Sequence, residues 1–448
     1  MCFFVEIVGL TPLAAAAERT RANVVEYFIT NDLVSRQSKI DALELLGASY
    51  ANDKQNYSLE KCFFYLRWAM QERFRPFEMH PLPKPDTFDS IKAYGHEVEY
   101  RTMEELEEMQ NQPNRLHMQG LLIRQRILGI KNEIVLPIVY RGAVFADNEQ
   151  FEPCLELWLH ALEINSTRLE NSCISNDLLR FAQIFCQIIN LNFAFDFEYL
   201  RKVLQIAYED MKRTNQLLKV FKLRQEKAKR VNVKINSTLE FNDDLSISDR
   251  LQSEIDENMI YILYLFVLSA KILPRLEDAQ QLQLRETVYR FNRLRLSTRA
   301  GASFLHLCLD SHTLISDIYT KSLCKFPCAT TAELLIRSGA DVNQPDLQGN
   351  TPLHVITPYE KPISDFRTIY SIIEQLIKAG AHSDCTNNQL KTPMDLIRID
   401  FARTILKSHM KFRLTCLAAR AVNRHNLQFQ GQIPVHLYDF ISKHQTHN

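Results

Sequence analysis

Apolar residues recur at helical spacing along most of the chain, and the strict alternation that is typical of β-strands is rare. Long helices are predicted over residues 177–192, 196–225, 249–272 and 277–297. Residues 115–128 predict an amphipathic helix. The longest apolar stretch, 259–270, is too short to span a bilayer of about 30 Å, so it predicts a buried helix. We therefore expect an all-α protein without a membrane-spanning segment.

A motif that is typical of ankyrin repeats recurs within residues 299–398. Its best copy reads DLQGNTPLH over residues 346–354. Gly349 allows a tight turn, Thr351 caps a helix, and Pro352 takes the first helical position, where a missing N–H costs little. The recurrence of this spacing predicts a segment of ankyrin repeats over residues 299–410, with long loops where the copies are further apart than usual.

The same motif predicts which ankyrin residues are structural. Core positions are assigned to Leu305, His306, Gly339, Thr351, Pro352, Leu353, His354 and Gly380. His354 is expected to hydrogen-bond within its turn rather than to bind a ligand. Gly339 and Gly380 close the second helices of two repeats as left-handed C-caps.

One further repeat opening, GLTPLAAA, lies near the start of the sequence at residues 9–16. Ankyrin repeats bury their apolar faces only against neighbours. We therefore interpret residues 1–34 as a remnant of an ankyrin array, which either packs on the helices after it or follows an array that is missing.

The middle of the chain predicts helical hairpins of a different kind. In residues 35–165, Gly142 and Trp158 fall at the small and large positions of a tetratricopeptide hairpin, and a looser copy surrounds Gly47. Residues 166–298 predict a helical linker domain. It should contain a flexible loop near residues 225–250.

Two short helices are predicted in residues 411–448. Leu414, Leu417, Ala418 and Val422 share one face of the first, and Ile433, Pro434, Leu437 and Phe440 mark the second. Anchors at this spacing are typical of a helix that binds in a groove. On the pattern alone, a cap over the last ankyrin repeat explains the segment equally well.

Charge and glycine content exclude several classes of function. The formal net charge is zero, which predicts no nucleic-acid partner, because nucleic-acid affinity relies on phosphate neutralisation. The chain has only 11 glycines and no glycine-rich phosphate loop, so no nucleotide cofactor is expected. The 10 cysteines are scattered singly, which is typical of a reducing compartment. The predicted location is the cytoplasm, with the nucleus as a second compartment.

The ankyrin segment contains two cysteines and two histidines that a zinc site could use. Cys324 and Cys328 lie near His306 and His312 in sequence, but their spacing is not that of a standard zinc motif. His306 is also a repeat-core position. We therefore predict no metal site, and no pairing of a cysteine nucleophile with an orienting histidine suggests an enzyme.

The body and the tail together resemble the feminization (Fem) family. The resemblance rests on ALELLGA at 42–48, LIRQRILG at 122–129, YRGAVFAD at 140–147 and CLAAR at 416–420. It implies an N-terminal ankyrin array, a tetratricopeptide-like middle, further ankyrin repeats and a C-terminal box. The family's degron pocket lies in the N-terminal array, so no residue of this chain is assigned to it.

The resemblance also implies a function. Fem proteins are substrate receptors of cullin-RING ubiquitin ligases and recognise C-terminal degrons. The helix at Leu414 would bind elongin B/C, the Ile433-Pro434 helix would bind a cullin–RING module, and substrate proteins would be presented by the body. The chain itself would be a non-catalytic adaptor. Two alternatives stay open, namely a plain ankyrin scaffold and a truncated paralogue that occupies elongin and cullin without a substrate.

Overall fold

The protein is described here by a computed structural model. It describes residues 10–31, 33–75, 80–85, 90–129, 132–167, 174–230, 238–315, 318–360, 366–398, 400–409 and 414–444. Within these ranges, all regular secondary structure is helical, as the sequence predicts. The chain divides into two compact units, Met1–Ser172 and Cys173–Asn448.

The described residues of the first unit form eight α-helices and one 3-10 turn. They are α1 Pro12–Glu18, α2 Ala22–Thr30, α3 Arg36–Asn52, α4 Leu59–Arg73, the 3-10 turn Lys92–Tyr94, α5 Met103–Glu108, α6 Pro113–Leu128, α7 Asn132–Asp147 and α8 Phe151–Ser166.

Helices α3 and α6 form the centre of this unit. Every residue of α3 from Lys39 to Asn52 is buried except Asp41. Helix α6 is buried on nearly all sides, including its polar His117 and Arg124. The predicted amphipathic character of residues 115–128 is therefore wrong, because the polar side chains of α6 find their partners inside the protein.

Small residues let neighbouring helices approach closely in the predicted hairpins. A Cβ on Gly142 in α7 would lie 2.3 Å from Trp158 Nε1 in α8. Trp158 Nε1 donates a hydrogen bond to Val139 O at 2.9 Å. In the α3–α4 hairpin, a Cβ on Gly47 would lie 3.0 Å from the Leu66 side chain. Both hairpins thus depend on a glycine at the helix contact.

The first two helices pack on the helices that follow them. Thr11 Oγ1 accepts a hydrogen bond from the Ala14 N–H at 3.2 Å and caps α1. Leu13 and Val25 are buried in the same apolar core as α3. Gly9 of the predicted opening lies outside the described residues. The segment 10–31 is therefore integrated into the first unit.

The second unit contains the remaining helices. They are α9 Ser175–Asn190, α10 Phe197–Arg230, α11 Thr238–Ile272, the 3-10 turn Leu273–Arg275, α12 Asp278–Arg293, α13 Phe304–Leu309, α14 Ile318–Lys321, α15 Ala329–Arg337, α16 Pro352–Ile356, α17 Phe366–Lys378, α18 Asp400–His409, α19 Leu414–Arg424, the 3-10 turn Val435–Leu437 and α20 Tyr438–Ser442.

Both ends of the stretch 225–250, which was predicted to be a flexible loop, are helical. Helix α10 continues to Arg230 and α11 begins at Thr238, while residues 231–237 lie outside the described part. The lysine, arginine, glutamate and glutamine residues at the end of α10 have high helix propensity, so a charged sequence there does not end the helix.

Helix α11 is the core helix of the second unit. The stretch Ser246–Arg275, formed by most of α11 and the 3-10 turn after it, is long and apolar enough to cross a membrane, but 67% of its most apolar window is buried inside the protein. Phe266 of α11 packs edge-on against Phe291 of α12 and Phe304 of α13. This aromatic cluster joins the predicted linker domain to the ankyrin segment in one core.

Candidate docking surface at the C-terminal box

The best ankyrin turn is closed by a threonine and a histidine. His354 Nδ1 lies 2.8 Å from Thr351 Oγ1 and accepts a hydrogen bond from the Thr351 N–H at 3.1 Å. The opposite ring nitrogen lies 3.1 Å from Lys391 O. Because a carbonyl only accepts, Nε2 carries the proton. The His354 ring therefore connects its own repeat turn to the turn of the next repeat.

The first ankyrin turn repeats this arrangement. His306 Nδ1 lies 2.8 Å from Ser303 Oγ, and Nε2 lies 3.0 Å from Asn350 O. Burial lowers the pKa of His306, and burial lowers that of His354 to about 4. Both rings are therefore neutral and structural at physiological pH.

The other predicted ankyrin positions lie in the repeat framework. Leu305, Pro352 and Leu353 are buried. Gly339 and Gly380 follow α15 and α17 with φ of +79° and +96°, the left-handed conformation that favours glycine. Leu305 and Gly339 also line a cavity of about 720 Å³ beside α12. Together these residues hold the platform on which the C-terminal segment rests.

The four residues considered for zinc in the ankyrin segment point to different partners. His306 is occupied in its turn, and His312 is 92% exposed and 3.1 Å from Asp310. Cys328 Sγ lies 3.1 Å from Thr331 Oγ1, while the free thiol of Cys324 forms a hydrogen bond with that of Cys186. This set does not form a common site.

Helix α19 is the first helix of the predicted C-terminal box, residues 411–448, and it turns its predicted anchors outward. Leu414 is 82% exposed and Leu417 is 46% exposed, and Ala418 on the same face is exposed as well. The opposite face carries Cys416 and Ala419, which are buried. Val422, the fourth predicted anchor, is half-buried, and Arg413 lies outside the described residues.

The second box helix begins later than predicted. Pro434 precedes a 3-10 turn, and α20 starts only at Tyr438. Pro434 and Leu437 are exposed and Ile433 is half-buried. Phe440 stacks on His444, with ring centroids 4.3 Å apart. Phe440 therefore packs partly against the protein, whereas the preceding residues face solvent.

The box is attached to the last ankyrin repeat by polar contacts. The Thr386 N–H donates to Lys443 O at 2.9 Å. Arg420 Nε lies 3.2 Å from Asp384 Oδ2. His382 Nδ1 lies 3.0 Å from Cys416 Sγ. These contacts hold the inner face of the box and leave its leucine face exposed to solvent.

Sequence reasoning missed the side chains that make this attachment. No sequence motif includes His382, Asp384 or His444, and Cys416 lies in the CLAAR motif. Their separation in sequence explains this, because three distant segments supply them. The signal in the sequence that could have indicated this cluster is the presence of histidine and cysteine residues in the last repeat and in the box.

In the first unit, the motifs that carry the family resemblance meet inside the core. Arg126, from α6, donates to Glu44 of α3 at 2.6 Å and to Glu99 at 2.8 Å. Arg73 donates twice to Glu44, and Lys84 lies 3.1 Å from Glu99. The motif charges thus stabilise one another in the interior.

Glu44 and Arg126 remain ionised inside the protein. Burial alone would raise the pKa of Glu44, but Lys84, Arg126 and Arg73 lower it to about 2. Burial likewise would lower the pKa of the Arg126 guanidinium, and the two carboxylates raise it. The network is therefore a structural element of the helical hairpins.

Helical hairpins, ankyrin turns and an outward-facing pair of short helices define an all-α helical-repeat protein. The chain is 32% identical to human protein fem-1 homolog C over 98% of its length, and 32% identical to zebrafish (Danio rerio) protein fem-1 homolog A over 97%. A fem-1 homologue of Drosophila melanogaster is 30% identical over 98%. The chain belongs to the Fem family of ankyrin-repeat proteins.

The comparisons also define how much of a relative the chain represents. It covers 66% of the human and zebrafish proteins and 68% of the Drosophila protein. The chain thus spans about two thirds of the length of these relatives. No protein-family model matches it.

Proposed function

We propose that this chain is a non-catalytic substrate-receptor subunit of a cullin-RING ubiquitin ligase. Helix α19 would bind elongin B/C, residues 433–441 would contact a cullin–RING module, and the helical-repeat body would present proteins for ubiquitination. The proposed location is the cytoplasm, with the nucleus as a second compartment.

The outward-facing leucines of α19 are the observation that carries this proposal. Leu414 and Leu417 are exposed although Cys416 and Ala419, on the other face of the same helix, are buried. Burying a leucine side chain gains about 1.5–3 kcal/mol relative to leaving it in water. A helix that served only as a cap would turn its leucines inward. A partner with an apolar groove explains their position better.

The decisive experiment is co-purification with elongin B/C and a cullin. The double variant Leu414→Ser, Pro434→Ala should lose both partners. Because both residues are exposed, the fold should be retained, which circular dichroism would verify. Leu282→Ser is the matched control, since Leu282 is a 68% exposed leucine on another helix of the same unit. Equal binding by wild type and double variant, or binding by neither, would contradict the proposal.

Single variants separate the two contacts. Leu414→Ser should lose elongin B/C, whereas Leu437→Ser should retain elongin B/C and lose the cullin. Loss of elongin with Leu437→Ser alone would mean that the two helices do not bind separate partners. Binding of substrate termini is tested with a library of peptides that end in different C-terminal residues.

A scaffold without ligase partners is the second candidate. The hydrogen bonds between Thr386 and Lys443 favour it, because they tie the tail to the last repeat. It predicts that deletion of residues 411–448 reduces solubility without loss of any partner.

A further inference from the structure

Four side chains with metal-binding atoms converge where the last ankyrin repeat meets the box. They are His382, Asp384, Cys416 and His444. One ligand atom from each lies within 4.8 Å of all the others. Asp384, Cys416 and His444 are buried, and His382 is half-buried. Among the described residues, no other group of three or more such side chains converges in this way.

The distances suit a small tetrahedral ion. His382 Nδ1 lies 3.0 Å from Cys416 Sγ, and His444 Nε2 lies 3.6 Å from Asp384 Oδ1. With Zn–N near 2.0 Å and Zn–S near 2.3 Å, neighbouring ligand atoms are about 3.3–3.7 Å apart. The widest separation therefore needs to close by about 1 Å, which side-chain rotation supplies.

Hydrogen bonds around the cluster orient its histidines. His444 Nδ1 lies 2.7 Å from Phe440 O, so the proton sits on Nδ1 and the Nε2 lone pair faces the cluster. The backbone N–H of His382 donates to Asn343 Oδ1 at 2.8 Å, and Asn343 Nδ2 donates to Gly380 O at 3.0 Å, so these bonds hold the backbone that carries His382. The outer contact of His444 Nδ1 is typical of a metal-binding histidine, because it fixes the tautomer and the ring direction.

The chemistry of the donors favours zinc. Two imidazoles, one carboxylate and one thiolate form a mixed set that suits Zn²⁺, whereas Mg²⁺ and Ca²⁺ prefer oxygen ligands. The charges of Asp384 and a Cys416 thiolate would balance those of the ion. Four protein ligands leave no open position, which is typical of structural rather than catalytic zinc.

We propose that His382, Asp384, Cys416 and His444 bind one structural Zn²⁺ that fixes the C-terminal box to the last ankyrin repeat. The ion would join the repeat to α19 through Cys416 and to the end of α20 through His444. Binding replaces the Cys416 thiol proton with a Zn–S bond and releases that proton to solvent. The proposal is independent of ligase docking, because the ligand atoms lie on the inner face of the box.

Metal content is the primary test. Protein purified without chelator from zinc-supplemented cells should contain about one zinc ion per chain by mass spectrometry. Cys416→Ser and His444→Gln should each lose it. Cys308→Ser should keep it, since Cys308 is a buried thiol of the same unit and donates to Cys328 O outside the cluster. Wild type with less than about a tenth of an ion, or zinc retained by Cys416→Ser, would overturn the proposal.

Cobalt substitution tests the geometry on the wild-type chain, so it does not depend on the folding of a variant. Co²⁺ added to the chelator-treated protein should give the intense visible bands of a tetrahedral site and a thiolate-to-cobalt charge-transfer band. Zinc should then displace the cobalt and bleach both. A weak octahedral spectrum without a charge-transfer band would mean that the four side chains form only a hydrogen-bonded cluster.

Discussion

Arg73 and Glu44 form a two-point ion pair inside the first unit. Arg73 Nε and Nη2 each donate to one oxygen of the Glu44 carboxylate at 3.0 Å, and neither side chain is exposed to solvent. Arg126 and Lys84 approach the same carboxylate. Glu44 therefore contacts three buried cations from different parts of the unit, two of which it shares with Glu99.

Replacing this anion should strongly destabilise the first unit. Glu44→Gln leaves Arg73, Lys84 and Arg126 with Glu99 as the remaining buried carboxylate, and breaking a buried ion pair costs about 3–5 kcal/mol. Trp68 and Trp158, the two tryptophans of the chain, both lie in the first unit. Their fluorescence during urea unfolding therefore reports this unit.

The matched control for this variant is Glu108→Gln, an exposed glutamate of the same unit, which should shift the unfolding free energy by less than about 0.5 kcal/mol. Equal effects of the two substitutions would contradict a stabilising role for the network.

Glu254 should make the stability of the second unit pH-dependent. Burial, together with the Asp210 charge, raises its pKa to about 7. The folded state then binds a proton that the unfolded state releases above pH 4.5, so stability is greatest at low pH and decreases as pH rises to about 7. Allowing for partial exposure, we expect a loss of about 1–2 kcal/mol.

The variant Glu254→Gln isolates this effect, because a glutamine side chain cannot ionise. The difference between the unfolding free energies at pH 5 and pH 7, measured by circular dichroism, should be smaller for this variant than for wild type. If the difference between the two pH values is unchanged in Glu254→Gln, another group causes the dependence.

Gly142→Ala should destabilise the α7–α8 hairpin. A helical glycine replaced by alanine usually gains about 0.5–1 kcal/mol. Here the added Cβ would lie 2.3 Å from Trp158 Nε1, and overpacking costs about 1–3 kcal/mol. Tryptophan fluorescence during denaturation measures the sign of the change.

The control is the same substitution in a Trp158→Phe background, with unfolding measured by circular dichroism. The destabilisation by Gly142→Ala should be smaller there, because the smaller phenylalanine ring leaves room for the added Cβ. A stabilising effect of Gly142→Ala in the wild-type background would show that the helices do not need the glycine.

His354 should stabilise the ankyrin segment in its neutral form. His354→Ala removes the contacts to Thr351 and to Lys391 O, and an unpaired buried group costs about 1–3 kcal/mol. Burial lowers the pKa of His354 to about 4, so its contribution is complete above the ordinary value of 6.5 and is lost as pH falls towards 4.

Circular dichroism at pH 7 and pH 4.5 should therefore show a larger effect of His354→Ala at the higher pH. His312→Ala is the control, because His312 is 92% exposed. An equal penalty at both pH values would indicate that His354 is not buried in its neutral form.

Local sequence was sufficient for the ankyrin turns and for the helical hairpins. The threonine, proline and glycine positions around residues 346–354 act within one turn, so their spacing alone determines the structure. The contact of Gly142 with Trp158 could also be predicted from the sequence, because both residues lie within one hairpin. For the same reason the sequence identified the two box helices, whose anchors repeat at helical spacing.

The tertiary structure decided which polar residues are buried and which distant ones meet. The sequence of α6 reads as amphipathic, yet Arg126 is satisfied inside the core by Glu44, which lies far along the chain. Likewise, His382, Cys416 and His444 meet only because the tail folds back on the last repeat. Local periodicity carries no information about such long-range pairs, since they form only when separate elements pack together. The sequence by itself therefore determined the helices, their caps and the leucine face of the box, and only packing decided the buried charges and the metal-binding cluster beneath that face.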